Sequence, residues 1–415
     1  MGKKQAVREV EVEGHIIDSN ILSQIFDRVM DMEGEFEVTR FEIGKKKEQP
    51  SYARILIRGR NDAHLDQILT EVHRLGARVP EAEQAQVEAA PDDKVAPRGF
   101  YSTTHHPTFI HWKGKWLPVE SMGMDCLVVV EDGKASAKPI ARLKKGERVL
   151  VGEKGVRVVP PERPRGRSLF EFMGKTVSSE RPSRNLIKQI AEEIAETRRE
   201  GAKIAVVAGP AVVHTGAAPA LAEMIRLGAV DLLLAGNALA VHDIEHALFG
   251  TSLGMDVKKA EPTPGGHKNH IYAISEILRC GSIEGAVKSG VLKSGILYEC
   301  VKSKTPFILA GSIRDDGPLP EVITDVIEAQ ERMRTALRDV ELVLMVSTML
   351  HSIAVGNKLT SNVKTVCVDI NPSVVTKLMD RGTAQAVGVV TDVGSFLPML
   401  AEELRKQKRL TEFPG

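Results

Sequence analysis

The hydrophobic positions of the chain change period from one region to the next. Over residues 5–90 they run strand, helix, strand, strand, helix, strand. VREVEVEGHII reads as a strand, and Ile21, Leu22, Ile25, Phe26 and Val29 follow at helical spacing behind Asp18 or Ser19, either of which suits a helix cap. FEVTRFEIG and SYARILIRG alternate like paired strands, and NDAHLDQILTEVHRLG is a second amphipathic helix stopped by Gly76. This order predicts a split βαβ, ferredoxin-like α+β module over residues 1–92. Such a module hosts many functions and says little about activity.

AAPDDKVAPRG (residues 89–99) reads as a linker by composition. FYSTTHHPTFIHWKGKWLPV, CLVVVEDGKASAKPI and ERVLVGEKGVRVV then predict hairpin-like pairs in a small β domain over 98–165, and PPERPRGR (160–167) reads as a second linker. From residue 185 the pattern alternates. NLIKQIAEEIAETRRE is an amphipathic helix, and the short apolar runs KIAVVA, AVDLLLA, PFILA, ELVLMVS, VKTVCVDI and AVGVV are separated by helical segments. Near-continuous apolar strands between helices predict a buried, doubly wound parallel sheet over 168–415. The fold class expected for the chain is therefore α/β and multidomain.

Ligands of such sheets sit at the carboxyl ends of the strands, where each run meets a polar turn. Gly209 and Gly216 follow the first run, leading into a helix start that attracts phosphate, although the spacing is not GxGxxG. Gly236 and Asn237 follow the second; Asn237 reads equally as a ligand group or as a helix cap. Arg314, Asp315 and Asp316 crowd the turn after the third, where a solvated charged turn is the alternative. Ser347, Thr348 and His351 follow the fourth. Asp369 ends the fifth, where an acidic side chain holds a ribose diol and favours NAD over NADP, while Asn371 and Pro372 suit the start of the next helix. Asp392 and Gly394 follow the sixth. Six such turns describe one crevice and predict a dinucleotide-binding domain.

Charge and composition remove other classes. With 56 basic and 55 acidic residues, formal net charge +1, there is no electrostatic argument for a nucleic-acid or membrane partner. No apolar run approaches a membrane span and the N-terminus lacks an apolar signal region. Cys126, Cys280, Cys300 and Cys367 form no CxxC pair, which suits a reducing cytoplasm, and Cys367 reads as a small buried hydrophobe. His105, His106 and His111 are tempting as a metal set, but neighbours on a strand point to opposite faces, and no metal is expected.

EGHIIDSNIL, FYSTTHHPT, GKWLPVESMGMD, LFEFMGKTVSSERP, GNALAVHDIEHALFGTSLG and STMLHSIAVGN resemble, over nearly the whole chain, the archaeal-type ornithine cyclodeaminase family. Its conserved region also carries the name of the lysine-ketoglutarate reductase/saccharopine dehydrogenase bifunctional enzymes. The C-terminal part is more remotely similar to the NAD-binding fold of deoxyhypusine synthase, which agrees with the missing GxGxxG. The resemblance implies conversion of L-ornithine to L-proline and ammonia with bound NAD, and a homo-oligomer. Some relatives carry an arginine-degrading domain in front; this chain starts at the shared region, so arginine hydrolysis is not expected. By motif, the family's NAD contacts fall on Asn237, Ala238, Asp316, Ser347, Thr348, Met349, Leu350, His351, Asp369, Asp392 and Val393.

That reaction needs proton transfer for two amines, an anchor for the substrate carboxylate and exclusion of water. His267, Lys268 and His270, in TPGGHKNH, are the densest proton-active cluster beside the expected crevice. Lys268 suits a base or a carboxylate clamp, and Asp256 or Asp315 suits the δ-ammonium. An ordinary polar entry to the helix IYAISEILRC stays open as the alternative. Lys358 is a second candidate base, weighed against a solvated lysine. Competing expectations are another NAD-dependent amino-acid cyclodeaminase or dehydrogenase, and a non-catalytic NAD-responsive regulator.

Overall fold

A computed structural model describes residues 6–14, 16–17, 20–44, 49–79, 84–159, 177–178, 184–256, 261, 263, 266–315, 317–381 and 386–411. Two units emerge, Met1–Gly166 with Leu359–Ser361, and Arg167–Lys358 with Asn362–Gly415.

In the first unit, β1 (Ala6–Gly14), α1 (Ile21–Asp31), β2 (Glu35–Glu42), β3 (Ser51–Gly59) and α2 (Asp62–Arg74) follow the expected order. The strands form an antiparallel sheet, β1-β3-β2. Central β3 turns Ala53, Ile55 and Ile57 onto a core shared with Val10, Val12, Ile25, Val29, Ile68 and Val72. Asn61 caps α2 by accepting from His64 N. At the start of α1, Asn20 stands in the left-handed region (φ 58°) with no side-chain cap bond; Asp18 and Ser19 lie outside the described residues. The expected fourth strand departs from the pattern. Arg78 makes a single antiparallel bridge to Glu11, and β4 (Gln86–Ala89) pairs with another sheet.

That sheet also holds β5 (Thr108–Trp112), β6 (Lys115–Glu120), β7 (Leu127–Glu131), β8 (Lys134–Lys138), β9 (Arg148–Val151) and β10 (Val156–Val158), in the order β10-β5-β6-β8-β7-β9-β4. Residues 89–99 are not a free linker. Ala90 N donates to Glu147 O, Lys94 N to Leu143 O, and Gly152 N to Gly99 O, so the stretch is laid along the β sheet. His105 and His106 precede β5 in a bend, where strand alternation does not apply, and their rings lie 4.4 Å apart. His111, on β5, tilts against Trp116 instead. The second expected linker, 160–167, falls outside the described residues.

The second unit begins with β11 (Val177–Ser178) and α3 (Arg184–Arg199), then alternates. β12 (Lys203–Ala208) leads to α4 (Ala211–His214) and α5 (Ala218–Arg226). β13 (Leu232–Gly236) leads to α6 (Asn237–Phe249), the short hairpin β14 (Thr251–Ser252) and β15 (Met255–Asp256), then α7 (Asn269–Cys280), α8 (Ile283–Lys288) and α9 (Ile296–Ser303). β16 (Phe307–Ala310), β17 (Val322–Ile323), α10 (Val326–Ala336), β18 (Val340–Val346), α11 (Met349–Gly356), β19 (Lys364–Asp369), α12 (Pro372–Arg381), β20 (Ala386–Val390) and α13 (Val393–Thr411) complete it. All six apolar runs are strands, and all pair in parallel. β12 and β13 are buried almost throughout, as strands covered by helices on both faces must be. Between the short edge strands the order is β16-β13-β12-β18-β19-β20, the three-two-one-four-five-six order of a doubly wound sheet.

One buried carboxylate ties two of the helices. Asp243, fully buried on α6, accepts Ile296 N and Leu297 N at 2.9 Å each, satisfying the first turn of α9. Burial pushes its carboxyl up to about 6, against those two bonds. Gly295 (φ 110°) makes room, since a Cβ there would lie 2.8 Å from Asp243 Oδ2. Asp243→Ala leaves two N–H groups unpaired in the core. It is expected to cost about 3 kcal/mol of stability, read as a lowered midpoint in urea denaturation.

Candidate active site

Strand order decides where a ligand fits. The chain leaves β12 toward β13 and β16 on one side and resumes at β18 on the other, so the crevice lies between the carboxyl ends of β12 and β18. The loops after these strands touch. Gly209 N donates to Val346 O (3.0 Å), and a Cβ on Gly209 would lie 2.0 Å from Ser347 O. Ser347 itself adopts φ 53° and donates its N–H to Val368 O on the next strand. One strand over, a Cβ on Gly236 would lie 2.5 Å from His351 Cε1, so the imidazole of α11 rests on the backbone that opens α6. Burial lowers the His351 pKa, partly countered by Asp315. At the far strand, a Cβ on Gly394 would meet Thr215 O at 3.0 Å. Three glycines thus let the loops around the crevice pack directly on one another, while α6, α11 and α13 begin at its strand ends. This arrangement fits the phosphates of a dinucleotide.

Asn237 is neither the helix cap, which is Gly236, nor an unengaged ligand group. It is buried, its Nδ2 donates to Gly317 O (3.1 Å) and its Oδ1 accepts Leu319 N (3.2 Å), so it shapes the loop after β16. Ala238 beside it is exposed. Thr348 is half-buried, and Met349 and Leu350 open α11 exposed. Asp369 Oδ1 accepts Asn371 N, and Asn371 Oδ1 accepts Ser373 N across Pro372, as a helix start at Asn371 and Pro372 expects. Asp392 Oδ2 accepts Ser395 N, and Val393 is buried. Asp315 turns into its own loop, taking Ser312 N and Ser312 Oγ, and Asp316 lies outside the described residues.

TPGGHKNH docks on the β14–β15 hairpin. Thr263 N donates to Gly254 O, Gly266 N to Thr263 O, and a Cβ on Gly266 would lie 2.4 Å from Gly254 O. At least at Gly266, the glycine therefore serves close approach as well as turning. Lys268 is exposed at the start of α7 and His270 is half-buried; the side chains of His267 and Asp256 lie outside the described residues. Lys358 is not a solvated lysine. It is 8% exposed and its Nζ donates to Ala354 O at 2.7 Å.

Sequence reasoning missed a polar chain next to this segment. His242 and Glu245, three apart on one face of α6, pair at 3.0 Å. Glu245 also accepts from Thr251 Oγ1, Leu253 N and Gly254 N, and Thr251 Oγ1 accepts from Asn269 Nδ2 at 2.8 Å. His214, at the end of α4, lies edge-on to His242 (4.8 Å) and meets Ser252 Oγ at 2.7 Å. Burial, then the neighbouring His242, lowers the His214 imidazole to about 4, and Glu245 opposes. Burial pushes Glu245 upward, but the bonds from His242, Gly254 N and Thr251 outweigh it and hold the carboxyl below its ordinary value. The signal was present in VHDIEH, a histidine and a glutamate at helical spacing just after a strand end. Among the described residues no group of three or more His, Cys, Asp and Glu side chains is arranged to hold a metal ion, and no helix is long and apolar enough to cross a membrane.

Residues 7–106 match the conserved region of LOR/SDH bifunctional enzymes. Residues 107–187 match the first region of the C-terminal part of ArgZ-like arginine dihydrolases, and 188–400 its Rossmann fold. The chain is 61% identical over 399 residues to an Archaeoglobus fulgidus protein named ornithine cyclodeaminase, covering 96% of this chain and 98% of that one. A solved LOR/SDH protein from Methanococcus maripaludis S2 is 52% identical, with a TM-score of 0.73, over 80% of this chain and 99% of that one. The ternary complex of AgrE with ornithine and NAD+ is 42% identical, with a TM-score of 0.54, over 98% of this chain and 58% of that one.

The polar chain has a pH signature. His214 has a folded pKa below its unfolded value, so its contribution is present above about 6.5 and is lost as pH falls toward about 4. The depressed Glu245 acts in the same direction, its contribution lost as pH falls through the folded value. The melting-temperature advantage of the wild type over His214→Asn is therefore expected to be largest at pH 7.5 and to shrink by pH 4.5.

Proposed function

The chain belongs to the archaeal-type ornithine cyclodeaminase family, and on that premise we propose that it converts L-ornithine to L-proline and ammonia with a bound NAD regenerated in every turnover. The observation that carries the proposal is the 61% identity, over nearly the full length of both chains, to a protein named for this reaction. The glycine-walled crevice at the switch point supports it. In this reading NAD supplies the oxidant that makes the α-amine an imine and the reductant that closes the cycle on the cyclic imine.

The chain's own residues do the rest. Gly209 and Gly236 let the Ser347 carbonyl and the His351 ring pack onto the strand ends beside the cofactor, Asp369 holds a ribose, and Ala238, Asp316, the Ser347–His351 loop, Asp392 and Val393 complete the contacts. Asn237 acts by fixing the loop at 317–319. Lys268 clamps the substrate carboxylate or accepts a proton from its amine, His267 and His270 exchange protons, and Asp256 or Asp315 receives the δ-ammonium. Asn269, donating to a Thr251 hydroxyl that is itself held by Glu245, positions the segment that bears them. The same reading takes residues 1–92 as a ferredoxin-like module that gives β4 to the sheet of a small β domain, 98–165, and 168–415 as a deoxyhypusine-synthase-like NAD-binding domain of a cytoplasmic homo-oligomer.

Incubation with ornithine should yield proline and ammonia in equal amounts, with no growth of NADH absorbance; accumulating NADH without proline would instead mark a dehydrogenase. Lys268→Ala and His270→Ala are each expected to slow proline formation by about 10²-fold, and near-normal rates in both would remove the cluster from the mechanism. Gly236→Val drives a side chain into His351 and is expected to weaken NAD binding at least about tenfold by fluorescence titration.

A further inference from the structure

A cavity of about 580 Å³ lies in the first unit, and every residue lining it belongs to that unit. Its walls are one face of α2, the edge of β1 with the Arg78 bridge, and the turn between β9 and β10. The volume falls within the range of small-molecule sites. Most buried polar groups of a fold find partners, and this cavity departs from that rule twice. His73, at the end of α2, lines it, is 5% exposed and leaves Nδ1 without a hydrogen-bond partner. Glu153, in the β9–β10 turn, also lines it and leaves its buried Oε2 without one.

The two groups stand ready for a ligand of definite chemistry. Burial holds His73 down to about 4, so the ring is neutral at physiological pH and takes no cation's place. Burial pushes Glu153 up to about 7, against the pull of the Arg74 charge and the nearby Thr70 hydroxyl. A carboxyl in that condition gains most from an incoming ammonium, which replaces the lost hydration with a charge-assisted bond. Arg8, exposed on β1, offers a guanidinium to a carboxylate. Leu69, Val79 and Trp116 add apolar wall to the same cavity. Acid, base and apolar lining in one cavity match a molecule that carries an amine, a carboxylate and an aliphatic side chain.

We propose that this cavity is a second ligand site, separate from the crevice of the parallel sheet, and that it takes a free aliphatic α-amino acid with its ammonium at Glu153 and Thr70, its carboxylate at Arg8, and its side chain along Leu69, Val79 and Trp116. None of these residues has a part in the proposed turnover of ornithine, so the site stands or falls independently of that reading.

Calorimetric titration of the full chain with L-leucine and L-methionine tests it. At least one is expected to bind at one site per chain. Isoamylamine and 4-methylpentanoate, each carrying half of the zwitterion, are expected to bind at least about tenfold more weakly. Glu153→Gln and Arg8→Ala should each weaken binding of the amino acid by about tenfold or more, while leaving proline formation from ornithine unchanged in the absence of added leucine. Arg8 is exposed, so that variant keeps the test valid if Glu153→Gln perturbs the turn. No heat from either amino acid, undiminished binding in both variants, or displacement by ornithine would each overturn the proposal. The first of these would leave the cavity to ordered water.

Discussion

The C-terminal unit is organised around the close approach of two loops. Neighbouring parallel strands lie about 4.8 Å apart, and β12 and β18 are neighbours although more than a hundred residues separate them in the chain. The turns that leave them must diverge within that spacing. They do so with the Gly209 N–H donating to Val346 O and the Gly209 Cα packed against the Ser347 carbonyl, with no room for a side chain between. A left-handed Ser347 then turns the chain into α11. Because this contact falls where the strand order reverses, the space it keeps clear is the space where helix starts from both halves of the sheet converge. His351 on Gly236 repeats the arrangement one strand further on, so α11 is set against both loops.

Helix α6 links that crevice to the rest of the unit. Its first residue, Asn237, holds the loop after β16; Asp243 holds the start of α9; His242 and Glu245 hold the β14–β15 hairpin and, through Thr251, Asn269. A helix gripped on several sides cannot show a single apolar stripe, and α6 carries polar residues into the core because each has a partner there. The cost of desolvating Asp243 and Glu245 is offset by fixed N–H and O–H donors. The same bonds make the positions of those donors definite. This is the kind of support that the acid/base role proposed for Lys268 and His270, at the start of α7, requires.

Much of this was legible in the chain, and the reasons for the remainder are physical. The six strands stood out because a strand buried on both faces must be apolar nearly throughout. Their order in the sheet was not expressed in any local pattern. Residues 89–99 look like a linker because Pro, Gly and Asp also suit an irregular strip that satisfies its backbone against a sheet edge, and only the hydrogen bonds distinguish the two. Lys358 looked solvated because its type usually is; its Nζ instead reaches back from the turn after α11 to the Ala354 carbonyl in that helix. The His214–His242–Glu245 chain escaped because its members come from α4, α6, β14 and α7. Each was ordinary where it stood in the sequence.

Retention of a recycled cofactor places a demand on these loops that an exchanging cofactor does not. A dehydrogenase must release its nicotinamide each turnover, and release commonly requires a loop to open. In this chain the strand-end loops are stitched to their neighbours by backbone bonds, Gly209 to Val346, Ser347 to Val368, Thr391 to Asp369, and Gly311 to Ile323. Opening the crevice at any one of them breaks a bond at the strand beside it. A wall tied in this way favours a slow departure rate over rapid exchange, which is the behaviour that the proposed internal recycling of NAD requires. The rigidity of the crevice and the chemistry proposed for it are therefore two consequences of one packing arrangement.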